Sequence, residues 1–162
     1  MKRLDIYTDG SHLDKLNNGR LGVGGILVGD NKKTVIDTFS EELKPEYMLS
    51  EFGAQKCSNP SAELAALLFA LRHFKSHLKS ATKIVVHADY VGQKSWMEGI
   101  WRIKEPYIQK IKNEIDDEIK SQGLQGKISY EWVKGHQNKS VLDPDAYWNN
   151  AVDLLAKGEG DE

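Results

Sequence analysis

The chain opens on short stretches of alternating apolar and polar residues, a pattern typical of half-buried β-strands. Three strand-like stretches follow one another, at Leu4 to Thr8, Leu21 to Val28 and Thr34 to Phe39. They are separated by a loop rich in Gly and Asn and by the turn-forming residues 29–32, so we expect two consecutive antiparallel hairpins. The next segment, Lys44 to Asn59, mixes Pro, Gly, Ser and charged residues, which favours a long surface connection.

The pattern then changes to a helical period. After Pro60, which suits a first helical turn, apolar residues recur at helical spacing at Leu64, Leu67, Leu68, Leu71, Phe74 and Leu78. A short β-branched run within Lys83 to Ala88 predicts a strand that is buried on both faces. A second helical stripe comprises Ile103, Tyr107, Ile108, Ile111, Ile115 and Ile119. Ile128 to Val133 reads as a fifth strand and Ala146 to Ala156 as a closing helix, which gives an α/β protein in the order β-β-β-α-β-α-β-α.

Length and composition limit the possibilities further. With 162 residues, 40% of them apolar and 28% charged, we expect one folded domain over residues 1–158 and a short acidic tail at 159–162. The formal net charge of -2 provides no global basic field, so any contact with nucleic acid has to be local. Cys57 is the only cysteine, and no apolar stretch is long enough to span a bilayer. We therefore expect a cytoplasmic protein with no membrane partner. The sequence does not determine the oligomeric state, for which we expect a monomer.

Candidate chemistry lies in four acidic residues near the ends of predicted elements. Asp9 follows the first strand, Glu63 opens the first helix, Asp89 follows the buried strand and Asp153 lies in the closing helix. Each has an ordinary explanation on its own: a turn for Asp9 and Asp89, a helix-dipole partner for Glu63 and a solvated face for Asp153. Only the set as a whole suggests a site.

The set resembles a known family. The segments IYTDGS (6–11), AELAAL (62–67), ADYVG (88–92), EWVKGH (131–136) and NNAVDLLA (149–156) resemble, in that order, the successive motifs of type 1 ribonuclease H. The resemblance implies a five-stranded mixed sheet of order 3-2-1-4-5 with helices on both faces. It also implies that Asp9, Glu63, Asp89 and Asp153 are the catalytic carboxylates and that His136 is the histidine of a catalytic loop.

The activity implied by the resemblance is endonucleolytic cleavage of the RNA strand of an RNA/DNA hybrid, which leaves 5′-phosphate and 3′-hydroxyl ends. Such hydrolysis needs an activated water and relief of the charge that develops on the phosphate, and two Mg²⁺ ions about 4 Å apart supply both. Mn²⁺ is a plausible substitute, because hard oxygen ligands suit either ion. No organic cofactor is needed. Without metal, clustered acids repel one another, so at least one should bind its proton unusually tightly.

Selection of RNA requires contacts to 2′-hydroxyl groups. Asn59 is the first candidate, and Ser58 beside it resembles a phosphate contact for the DNA strand. Ser11, Asn17 and Asn18 are further candidates for contacts with the hybrid. All these residue types are equally at home in plain turns.

The segment from Asp89 to Trp101 resembles a bacterial subgroup that lacks the long basic handle of many relatives. Trp96 and Trp101, with Lys94, Arg102 and Lys104 nearby, are therefore candidates for a smaller surface that stacks on bases and contacts phosphates. The simpler alternative is that the tryptophans are buried against the sheet.

Two other functions remain open from the sequence. One is a different nuclease on the same fold, against which the EWVKGH segment (131–136) argues. The other is a module that binds hybrids without cutting them, against which the presence of all four acids argues.

Overall fold

A single mixed sheet forms the middle of the fold in this computed structural model, which describes residues 2–13, 20–55, 57–133 and 143–158. Its strands are β1 (Arg3–His12), β2 (Leu21–Gly29), β3 (Thr34–Leu43), β4 (Lys83–Ala88) and β5 (Ile128–Trp132). Their order in the sheet is β3-β2-β1-β4-β5. Strands β1, β2 and β3 pair antiparallel, whereas β1 with β4 and β4 with β5 pair parallel. The predicted mixed sheet, its order and its two hairpins are confirmed.

Six helices accompany the described strands. They are α1 (Pro45–Phe52), α2 (Asn59–His73), α3 (Lys75–Leu78), α4 (Val91–Met97), α5 (Pro106–Ser121) and α6 (Pro144–Ala156). Proline occupies the first turn of α1, α2, α5 and α6, where its missing N–H costs no hydrogen bond. In the part of the chain that the structure describes, no helix is both long and apolar enough for a membrane span.

The two faces of the sheet are covered unequally. Leu4 and Ile6 of β1 point to the larger core, which also contains the apolar faces of α2 and α5. Tyr7, which follows Ile6, points to the other face and packs with Val152 of α6 in a smaller cluster. Helices thus lie on both faces, as predicted, and α6 is the one on the smaller side.

Glycine in β2 lets α6 approach the sheet closely. A Cβ atom at Gly22 would lie 1.8 Å from the carbonyl oxygen of Ala156, and one at Gly24 would lie 2.8 Å from its nitrogen. The hydroxyl of Ser40 in β3 donates a 2.6 Å hydrogen bond to the carbonyl of Leu155. The backbone of α6 is therefore held directly over the sheet.

One prediction was wrong in the segment between the third strand and the first long helix. Lys44 to Asn59 is not a plain surface connection, because it contains α1. Met48 and Phe52, one helical turn apart, are 0% and 3% exposed and join the main core. Only these two positions of α1 are fully buried, with Tyr47 partly buried beside them. Because Pro45 and Gly53 frame the helix, its short apolar pattern is hidden among turn-forming residues.

Smaller corrections concern element ends. The first strand continues past Thr8 to His12, so Asp9 lies within a strand and not in a turn. The first long helix ends at His73, and Leu78 belongs to the separate α3. The helix predicted from Ile103 begins at Pro106, and α4 was not predicted.

Candidate active site

Two of the predicted acids come from neighbouring parallel strands. Tyr7 of β1 pairs with His87 of β4, so Asp9 and Asp89, each two residues further on, reach the same edge of the sheet. This is the edge formed by the carboxyl ends of the parallel strands, a favoured position for sites in α/β proteins. Asp9 is buried, with 3% exposed, and Asp89 is half-buried.

Helix α2 brings the third acid to these two. A Cβ atom at Gly10 would lie 2.2 Å from the carbonyl carbon of Ala62, so only glycine lets β1 and α2 come this close. The backbone N–H of Gly10 donates to Oε1 of Glu63 at 3.3 Å. One carboxylate oxygen each from Asp9, Glu63 and Asp89 lies within 4.8 Å of the others. Three of the four predicted acids therefore form one compact group.

The fourth acid joins from the other side of the sheet. Asp153 lies on α6, where its Oδ2 is 3.0 Å from the ammonium group of Lys157. Its side chain also shares a hydrogen bond with Asp9. The structure thus brings together all four carboxylates that the sequence singled out, from β1, α2, the end of β4 and α6. We call these four side chains the acidic cluster.

Burial and mutual repulsion shape the proton affinity of the cluster. Desolvation, together with the charge of Glu63 and the hydrogen bond with Asp153, raises the pKa of Asp9 to about 11. Burial, followed by the charge of Asp89, raises the pKa of Glu63 well above its ordinary value. The metal-free cluster therefore holds protons, as predicted, and close hard oxygen ligands of this kind suit a divalent cation.

Sequence reasoning missed one residue that positions the site. Gln93 of α4 is 2% exposed, and its side-chain amide donates to the Thr8 hydroxyl at 3.2 Å and to the Glu63 carbonyl at 3.1 Å. It thereby ties β1 to α2 directly beside Asp9 and Glu63. The sequence gives no signal for this role, because Gln93 lies in a helix that was not predicted and its burial is visible only in the structure.

The residues predicted to touch the substrate backbone lie at the start of α2 and the end of β1. Asn59 is exposed, and its side-chain oxygen accepts a 2.9 Å hydrogen bond from the His12 backbone N–H. Ser58 is the N-cap of α2, where its hydroxyl and that of Ser61 each bond the other residue's backbone N–H. Ser11 lines a surface groove beside His12. Ser58 therefore has a structural task in addition to the predicted contact.

The two tryptophans behave differently. Trp96 is partly buried against the main core, as in the simpler alternative, whereas Trp101 is 43% exposed. Their rings meet edge to face with centroids 6.4 Å apart. Both line one groove together with Arg102 and Lys104. Lys94 does not join them, because its ammonium group is bound by Glu98 at 2.7 Å and by the Tyr130 carbonyl at 2.9 Å.

Some predicted positions lie outside the described residues: Asn17, Asn18, His136 and the tail 159–162.

The sheet order and the acidic cluster together define an α/β protein with a carboxylate site suited to divalent cations at the edge of its sheet. The sequence profile of the RNase H family matches residues 1–160, so the chain belongs to this family of nucleases, which are hydrolases.

Individual relatives agree with that assignment. A Ribonuclease H of Aeromonas salmonicida (strain A449) is 29% identical over 143 residues, which cover 84% of this chain and 80% of the relative. The N-terminal RNase H domain of a Mycobacterium tuberculosis protein, solved as a fusion with maltose binding protein, superposes with a TM-score of 0.70 at 20% identity, covering 98% of this chain and 94% of that one. LC11-RNase H1, isolated from compost, was solved with an RNA/DNA hybrid. It has a TM-score of 0.67 at 19% identity, and the match covers 93% of this chain and 96% of that one.

Proposed function

We propose that this chain cuts the RNA strand of RNA/DNA hybrids endonucleolytically, with two Mg²⁺ ions, and leaves 5′-phosphate and 3′-hydroxyl ends. The observation that carries the proposal is the acidic cluster, in which Asp9, Glu63 and Asp89 present oxygens within 4.8 Å of one another. Membership of the RNase H family supports it, as does the hybrid held by the structurally similar LC11-RNase H1.

The cluster fits the proposed cofactor in both donor type and charge. Asp9, Glu63, Asp89 and Asp153 would hold the ions, with Mn²⁺ as a substitute, since all four offer hard oxygen ligands. When bound, such ions lower the pKa of water and stabilise charge on a phosphate undergoing displacement. The raised pKa values of Asp9 and Glu63 mean that metal must displace protons from the cluster.

The chain itself contributes rigidity. Gly10 and Gln93 fix the distance between β1 and α2, and the glycines of β2 seat α6, so the carboxylates are oriented before substrate arrives. We further propose that His136 moves a proton beside the cluster and accelerates the reaction without being essential.

Substrate contacts are proposed on both sides of the cluster. The bond from His12 occupies the amide oxygen of Asn59, so its NH₂ group is the donor we assign to a 2′-hydroxyl. Ser11, Asn17, Asn18 and Ser58 are assigned to the hybrid backbone near it. On the other side, the groove of Trp96, Trp101 and Lys104 would receive the flanking strand by stacking and charge.

One assay tests the proposal. The purified chain is incubated with end-labelled RNA/DNA hybrid, duplex RNA or duplex DNA, in Mg²⁺ or in EDTA, and the product ends are analysed. We expect internal cleavage of the hybrid's RNA strand in Mg²⁺ alone, its loss in Asp9→Asn, and full activity in Asp116→Asn, an exposed acid of α5 that pairs with Lys112.

Three results would contradict the proposal. A hybrid that is bound but never cut would indicate a binding module. Cleavage of duplex DNA at a similar rate would indicate another nuclease on this fold, and cutting by Asp9→Asn at the parental rate would move the chemistry elsewhere.

A further inference from the structure

A second group of potential ligands lies on the α6 face of the sheet, apart from the acidic cluster. His87 of β4, Glu131 of β5 and Asp145 in the first turn of α6 each present one ligand atom within 4.8 Å of the other two. The proposed nuclease chemistry uses none of them. Their dispersion along the sequence means that only the fold brings them together.

The imidazole of His87 is oriented by a carboxylate on its far side. Its side chain is 0% exposed, and Nε2 lies 2.7 Å from Oδ2 of Asp5. Asp5 in turn is held by the guanidinium of Arg3 at 2.9 Å. Since an ionised carboxylate only accepts hydrogen bonds, Nε2 carries the proton that it donates to Asp5. In the neutral ring, Nδ1 then presents a bare lone pair.

That lone pair points into the group of carboxylates. Nδ1 of His87 is buried, and among the described residues it has no hydrogen-bond partner. It lies 4.0 Å from Oε1 of Glu131 and 3.9 Å from Oδ1 of Asp145. Both separations are about 1 Å longer than a hydrogen bond to a carboxylate. They also exceed, by about 0.5 Å, the edge of a tetrahedron around a metal with ligand bonds of about 2.1 Å, which measures about 3.4 Å, so the two carboxylates would have to move slightly inward to bind an ion.

The surrounding charges favour a cation. Three carboxylates, Asp5, Glu131 and Asp145, face two cationic side chains, Arg3 and Lys32, if the imidazole is neutral. Burial alone would raise the pKa of Asp145, but hydrogen bonds from Tyr7 and Lys32 outweigh it and lower that pKa. With a neutral imidazole, which is the form that can bind a metal, the group carries one surplus negative charge around an unpartnered nitrogen.

We propose that His87 Nδ1, Glu131 and Asp145 bind a divalent transition-metal ion, with Zn²⁺ as the best match. Imidazole with carboxylates is a donor set of zinc and its neighbours and not of Mg²⁺. Asp5 supplies the outer carboxylate that commonly orients a metal-binding histidine. The bound ion would join β4, β5 and α6 and so stabilise the fold, whatever reaction the acidic cluster performs.

Lys32 is the competitor at this site. Its ammonium group lies 2.9 Å from the same Asp145 oxygen, and the side chain is 20% exposed. For the metal to bind, either Lys32 swings towards solvent or Asp145 turns its second oxygen inward. Lys32→Met should therefore tighten zinc binding.

The test measures binding and not activity. The chelator-treated chain is titrated with Zn²⁺ in excess Mg²⁺ by calorimetry, with Co²⁺ absorption as a second readout and the ¹⁵N resonance of His87 Nδ1 as a third. We expect the parent to bind one more equivalent of Zn²⁺ than Glu131→Gln, or the variant to bind that equivalent about 10-fold or more weakly. Zinc should also raise the Tm of the parent more than that of the variant.

Glu131 is 58% exposed, so its substitution should leave the fold intact, and Asp145→Asn provides a second variant. The matched control is Glu41→Gln, which alters an exposed pair in which Glu41 and His73 lie 2.7 Å apart. Equal zinc stoichiometry and affinity in the parent and Glu131→Gln would overturn the proposal. So would an Nδ1 resonance that stays protonated in zinc, which would identify His87 as a buried imidazolium.

Discussion

The backbone nitrogen of Gly10 lies 3.3 Å from Oε1 of Glu63, so a strand and a helix meet at the acidic cluster with no side chain between them. Gly10→Ala should therefore destabilise the protein by about 3 kcal/mol or more, because its Cβ would overlap the α2 backbone, which cannot move aside as a flexible side chain could. Activity should fall with it, since Glu63 must move away from Asp9.

Gly126→Ala is the control for that substitution. Gly126 has a φ of 80° but open space around its Cβ position, so the change should cost only about 1–2 kcal/mol of backbone strain. Urea unfolding at constant m-value compares the two. An alanine at position 10 that is no more costly than one at position 126 would mean that β1 and α2 can separate freely.

Removing one charge from the acidic cluster should stabilise the metal-free protein. The pKa of Asp9 is raised to about 11, so the fold favours its protonated form. That contribution is complete below the unfolded pKa of about 3.9 and is lost as pH rises towards the folded value. In EDTA at neutral pH, Asp9→Asn should therefore raise Tm, by about 2–4 °C for each kcal/mol gained.

The increase in Tm that Asp9→Asn produces should shrink as the pH is lowered towards about 4, where the Asp9 carboxyl of the unfolded parent regains its proton. Adding Mg²⁺ should raise the Tm of the parent more than that of Asp9→Asn, since binding to the folded state stabilises it. Differential scanning calorimetry across pH measures both effects. A Tm of Asp9→Asn below the parent in EDTA at neutral pH would refute the repulsion that we describe.

The amide of Gln93 should matter for both stability and rate. Gln93→Leu removes two buried hydrogen bonds and leaves the Glu63 carbonyl without that donor, at a cost of about 1–3 kcal/mol. Because it positions and does not touch the reacting atoms, kcat should fall with KM nearly unchanged. Gln109→Leu, on the exposed side of α5, serves as the control. Equal kinetics in the two variants would show that α4 does not position the cluster.

Helix α1 should contribute to the core although its sequence looks like a surface loop. Met48→Ala empties a fully buried position and should cost about 2–5 kcal/mol. Leu49→Ala, at a neighbouring position that is 53% exposed, should stay within about 0.5 kcal/mol of the parent. Chemical denaturation measures both, and similar values for the two would place α1 outside the cooperative core.

The exposed indole of Trp101 should affect substrate affinity. If it stacks on a base of the hybrid, Trp101→Ala should lose about 1–3 kcal/mol of binding, seen as a higher KM with kcat little changed. Trp101→Phe should restore part of that affinity, because it keeps an aromatic face. Steady-state kinetics on a hybrid substrate measure KM and kcat separately. An unchanged KM in Trp101→Ala would mean that the indole packs against Trp96 and does not contact substrate.

The sheet could be predicted because its strands are short apolar or β-branched segments bounded by turn-forming residues, and its order followed from the family resemblance. Helices α1 and α4 could not be predicted, because they are short and have few fully buried apolar side chains. In α1 these are Met48 and Phe52, and the buried residues of α4 are Gly92, Gln93 and Ser95. Tertiary packing, and not local period, decides such helices.

The four acids were found because each lies in a motif that the sequence displays. The pair of Gln93 with Thr8 and the group around His87 leave no such trace, because their members come from distant segments. Gln93 reaches Thr8 from α4, and Glu131 lies beside His87 only through the register of β4 with β5. Burial of a polar side chain, which the sequence does not reveal, is what marks them.

Helix α6 has a consequence for the timing of synthesis. Asp153 emerges from the ribosome about 140 residues after Asp9, which at about 5–20 residues per second takes about 7–30 s. Through that interval the first three strands and α2 can fold, yet the partial chain lacks its last carboxylate and the lid over Gly22 and Gly24. A growing chain of this protein therefore carries an incomplete acidic cluster until its last helix has been made and has docked.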